Sequence, residues 1–139
     1  MRPRYDAGYG LFLLVLSVGF LVLFDVPLDP TAWSNATEGR VALAGMALMF
    51  AAGVSGLVAA RRPHGIVAGR RIDHLTFRGV STLLLGVAML LLGGFSLAGS
   101  DLSGLLNVAI GAFLLLLGVG TMQRRPAFVS AGDLTERSA

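Results

Sequence analysis

The sequence predicts an all-α fold, a four-transmembrane-helix bundle running up-down-up-down with the N-terminus and C-terminus both cytoplasmic. Three observations lead there. Four charge-free apolar stretches divide the 139 residues, the arginines gather at one side of those stretches, and glycine recurs every seventh residue in the last two of them.

Only 14% of residues are charged while 55% are hydrophobic, and the mean hydropathy is +0.76. An ordinary soluble domain carries about 25% charge. The stretches are Tyr9–Phe24, Val41–Ala60, Gly79–Gly99 and Leu102–Met122, of 16, 20, 21 and 21 residues. About 20 apolar residues cross the hydrocarbon core as a helix. The last three meet that length, and the first reaches it when Asp6-Ala7-Gly8 and Val26–Leu28 extend it into the headgroup regions. Spans are therefore expected at about 9–26, 41–60, 77–98 and 102–122. They make a single four-helix membrane domain over residues 1–125, followed by a short polar cytoplasmic tail at 126–139.

In the first span Tyr5 and Tyr9 share a helix face at the inner interface, and Pro27 ends the helix near Val26, because proline disfavours helix in the residue before it. No small-residue cleavage site follows Phe24 closely, so the span reads as retained rather than as a signal peptide. Trp33 belongs at the outer interface. Asn35 and Glu38 have the spacing of a capping box for the second span. Asn35-Ala36-Thr37 is also a glycosylation sequon, and capping is the simpler role.

The second span holds seven alanines, three glycines and Ser55. Gly45, Ala52 and Ala59 form a seven-residue stripe, and Ala52, Gly56 and Ala60 form a second small face. A helix small on two sides is expected to touch several neighbours. Asp73 is the expected cap of the third helix, starting near His74, and Asp101 that of the fourth. Likenesses between Ala60-Arg61-Arg62-Pro63 and Gln123-Arg124-Arg125-Pro126, and between the segments around Gly10 and Gly79, are compatible with duplication of a two-helix unit.

The strongest packing signal is in the last two spans. Gly79, Gly86 and Gly93 mirror Gly104, Gly111 and Gly118, each pair of numbers adding to 197. An antiparallel hairpin turning between Ala98 and Gly99 would set every glycine level with a partner. In lipid, apolar helices gain little by hiding from water, and close backbone approach at small residues becomes a main source of association.

All eleven basic residues are arginine. Ten flank one side of the spans, and Arg40 alone lies on the other. The positive-inside rule then puts the Arg61–Arg78 loop in the cytoplasm with both termini, and the 27–40 loop and 99–101 turn outside. The net charge is only +3 despite a pI near 10.6, and the arginines border spans rather than a recognition element, which argues against nucleic acid. Arg61, Arg62, Arg70, Arg71 and Arg78 are instead expected to meet anionic lipid headgroups.

The chain has no cysteine, so thiolate chemistry is excluded. No catalytic, cofactor or metal constellation is expected. His64, Asp73 and His74 share a loop with five arginines, which repel a cation, and adjacent Asp73 and His74 point to different faces. No Asp, Glu or His lies within the four charge-free stretches, and serine without a base is not an activated nucleophile. An enzyme is therefore not expected. Asn107 and Asp25 are the residues that a polar pathway would use. Asp25 sits at the outer end beside Pro27, where water can reach it. The sequence thus points to a small multi-pass membrane protein with a non-catalytic role, in helix packing and oligomerisation or as an accessory subunit of a larger membrane assembly. The alternative is a small-solute or ion transporter or channel.

Overall fold

The computed structural model describes residues 3–23, 37–61, 65–67, 69–100 and 102–129. It is all-helical, with four helices and one short hairpin: α1 (Pro3–Leu23), α2 (Thr37–Ala60), β1 (Gly65–Val67), β2 (Arg70–Ile72), α3 (His74–Ala98) and α4 (Ser103–Met122). Three of the helices, α2, α3 and α4, are long and apolar enough over their described residues to cross a membrane. Asp25, Pro27, Trp33, the Asn35 sequon, Arg62, Asp101 and the tail from residue 130 lie outside the described residues.

Helix α1 starts six residues before its apolar stretch, at Pro3. Proline suits a first helical turn because its missing N–H has no partner there anyway. Helix α3 starts where a side chain can hold it. Asp73 is extended, and its carboxylate accepts the N–H groups of Leu75 and Thr76 at 3.1 and 3.2 Å. Helix α4 differs from expectation. Its cap position is Leu102, whose side chain makes no capping bond, and the preceding turn is closed by backbone bonds, Gly99 N to Phe95 O and Ser100 N to Leu97 O. Ser100, not Gly99, takes the left-handed conformation there, at φ 64°.

The loop expected to be merely polar holds an antiparallel hairpin, with Gly65 opposite Ile72 and Val67 opposite Arg70. Gly69, at φ 74°, supplies the positive backbone angle its turn needs.

Antiparallel neighbours alternate along the chain. Among the described residues, however, the helices form a row in which α1 packs on α2, α2 on α3 and α3 on α4. A closed bundle would bring α4 back to α1, and no extensive contact among the described residues does so. Helix α4 is held along one stripe and shows the rest of its surface, including Leu105, Leu106, Phe113 and Leu116.

Past α4 the chain folds back. Arg125 N bonds Gly120 O and Arg124 N bonds Thr121 O, the paired bonds of a Schellman ending. Pro126 follows, and the Phe128 ring covers Gly120. Residues 126–129, the start of the expected polar tail, lie against the end of α4, with Val129 buried.

Candidate functional site

Two kinds of contact meet on α3. The first is backbone against backbone. A Cβ on Gly86 would stand 3.0 Å from the Gly111 carbonyl, one on Gly93 2.8 Å from that of Gly104, and one on Gly79 2.9 Å from that of Gly118. The three pairs are those whose numbers add to 197. Any side chain larger than hydrogen would strike backbone at each. Thr82 and Thr121, on the same stripes, donate to Arg78 O and Leu117 O of their own helices at 3.0 and 2.8 Å. Asn107, half-buried, lays its Cβ over Gly93.

Helix α2 divides its small residues between two neighbours. Gly45 faces Leu92 of α3, and Ala52 and Ala59 are fully buried. Gly53 and Gly56 face Gly10 of α1, where a Cβ on Gly10 would stand 2.7 Å from Gly53 O and Leu57 N.

The second kind of contact is polar and gathers at the arginine-bearing end. Arg78 grips Asp6 with two parallel bonds, Nε to Oδ1 at 2.8 Å and Nη2 to Oδ2 at 2.6 Å. The pair is well covered, Asp6 being 6% exposed. One turn deeper, Tyr9 hydrogen-bonds Ser81. Ser81 is completely buried and donates to the Ala52 carbonyl, while Ser55 donates to Phe77 O at 2.8 Å. Asp6–Arg78 and Tyr9–Ser81 are both 72 residues apart. Constant difference is the signature of parallel helices, as constant sum is of antiparallel ones, so these rungs set the register of α1 on α3. The bidentate fork is the strongest protein form of a carboxylate contact, and burial raises the penalty for leaving either partner alone.

A second ion pair closes the other side. Asp73, already capping α3, also accepts Arg124 Nη2. Arg124 stands at the position after the end of α4 that usually takes glycine, in left-handed conformation at φ 56°. A glycine would remove the strain and also the guanidinium. The two pairs match two carboxylates with two guanidiniums, so each is neutral and clasps one neighbour to α3.

Arg78 was expected to face lipid headgroups. It is corrected to an internal ion-pair partner, because the carboxylate of Asp6 lies within its reach. Arg61 is exposed; the strand carrying Arg70 and Arg71 is described, but their side chains are not. Among the described residues no three metal-ligating side chains converge. Sequence reasoning passed over the Asp6–Arg78 and Asp73–Arg124 pairs and the meeting of Tyr9 with Ser81. The available signal was a pair of opposite charges, each one turn before a hydroxyl, on two helices entering from the same side.

The chain matches the family of unknown function DUF7994 over residues 1–129 and belongs to it. Comparison with curated proteins and with solved structures finds no match for it.

Proposed function

We propose that this DUF7994 member is a non-catalytic, multi-pass membrane protein that serves as a packing subunit, joining copies of itself or a larger membrane assembly. All four helices cross, α1 included, with the Arg61–Arg78 loop and both termini cytoplasmic, as the ten-to-one arginine distribution favours. The observation that carries the role is the open row. Among the described residues helix α4 packs on α3 alone to any extent, and it offers Leu105, Leu106, Phe113 and Leu116 at the edge, each 59–67% exposed. A row ending in an apolar helix can be extended by another helix without disturbing the contacts already made. The buried hydroxyls support the same reading, since Ser17, Ser55, Ser81 and Thr121 all donate to helix carbonyls.

Native mass spectrometry of protein gently released from its own membrane tests the role. A fixed partner or a defined homo-oligomer is the expected result. A monomer whose reconstituted vesicles show solute flux, lost in Asn107→Leu, would replace this reading with transport. Because the chain lacks cysteine, single Ile66→Cys and Leu102→Cys variants test the topology. Both positions are highly exposed, and a membrane-impermeant thiol reagent should reach only the second from outside intact cells.

A further inference from the structure

At the arginine-bearing end, α2 and α3 enclose an apolar groove of about 550 Å³ that no contact described above fills. Ala51, Val54 and Val58 form one wall; Phe77, Val80 and Leu84 form the other. The volume lies within the roughly 300–1,000 Å³ of small-ligand sites. Its two hydroxyls are already engaged, Ser55 with Phe77 O and Thr76 with Asp73 Oδ1. The interior therefore offers dispersion and hydrocarbon shape, with no polar specificity.

The mouth is different. Ala51, Val54, Val58 and Arg61 follow one another at three, four and three residues, the spacing of a single helix face. Arg61 thus continues the groove wall one residue beyond α2, where it is exposed. The strand Arg70–Ile72 borders the same mouth, since Ile72 lines the groove. From Ala51 to Arg61 the helical rise is about 15 Å at 1.5 Å per residue. That is one leaflet of a hydrocarbon core about 30 Å thick. Deeper in the membrane the same two helices close, with Leu92 packed on Gly45.

We propose that the α2–α3 groove binds one anionic phospholipid, an acyl chain lying along Val54 and Val58 and the phosphate meeting Arg61. An apolar slot one leaflet deep, with a cation at its water end, matches that molecule in length, polarity and charge. Among the described side chains at this end, Arg61 is the cation that faces the mouth, since Arg78 and Arg124 are paired with Asp6 and Asp73. The inference rests on the membrane reading above but not on the packing role.

The test uses the full chain. Alkaline carbonate extraction of membranes comes first, and release into the aqueous phase would overturn the membrane reading itself. Native mass spectrometry of the detergent-solubilised protein, titrated with phosphatidylglycerol or phosphatidylcholine, then reads the site. One phosphatidylglycerol should survive activation that strips phosphatidylcholine. Val54→Phe, which fills the groove, should abolish that retention. Arg61→Gln should weaken it about fivefold, the effect of one basic residue at an anionic surface, and Val15→Phe on the outer face of α1 should leave it unchanged. Equal retention of both lipids, or retention indifferent to Arg61→Gln and Val54→Phe, would overturn the proposal. So would a change of oligomeric state in Val54→Phe without lipid loss, which would give the groove to a second copy.

Discussion

Helix α3 holds α4 and α1 by opposite means. Against α4 it sets three glycine pairs along its whole length, with backbone touching backbone. Against α1 it sets two polar rungs within one turn, Asp6–Arg78 and Tyr9–Ser81, at one end. The first contact is long, repetitive and made of many weak attractions. The second is short, singular and made of a few strong ones. A repeated contact tolerates small adjustments at any one point, whereas a localised one stands or falls with a single pair. The molecule uses the first for helices joined by a tight turn and the second for helices that are not neighbours in the row.

Breaking the polar latch should have the largest effect. Arg78→Leu leaves the Asp6 carboxylate covered and unpaired, which should lower stability by about 3 kcal/mol. Denaturant unfolding in mixed micelles would show it, and adding Asp6→Leu should restore much of the loss. A double variant as unstable as the single one would mean that Asp6 has another essential partner.

Next comes the glycine seam. Gly111→Leu drives a side chain into the Gly86 carbonyl and should cost about 2–3 kcal/mol by overpacking. Leu116→Ile, on the exposed face of α4, should change little. Equal tolerance of the two would mean that α3 and α4 do not need close approach.

The smallest effect sharpens the comparison. Ser81→Ala removes the hydroxyl shared by Tyr9 and Ala52, and a loss of about 1 kcal/mol is expected on the scale of hydrogen bonds between membrane helices. A larger loss, approaching that of Arg78→Leu, would show that the two rungs act as one cooperative unit.

The same division explains what could be read in advance. The three long apolar helices were legible because charge is absent from them, and the α3–α4 register because glycine repeats often enough to outweigh chance. Asp73 was legible as a cap because capping is a local relation between a side chain and its next three residues. The Asp6–Arg78 latch was not, since each charge alone looks like an ordinary residue at the membrane surface. Nothing in one sequence shows which non-adjacent helices meet, so an open row and a closed bundle read alike. Arg124 escaped notice for another reason. Its backbone conformation is one that glycine usually fills, and the benefit of arginine there appears only with Asp73 beside it. The hairpin at Gly65–Ile72 has strands of three residues, too short for alternation to stand out.

The row also carries a history of the chain's synthesis. Each new helix meets the one made just before it, so it finds a neighbour as it emerges, and the fold grows at one edge as translation proceeds. Asp6 is the exception. Its partner arrives only 72 residues later, after two further helices have begun. Through that interval the carboxylate has no guanidinium beside it and stays where water can reach it, and the register of α1 on α3 is not yet set. The arrival of Arg78 therefore acts as a timing mark, at which the first helix made is drawn into register with the third.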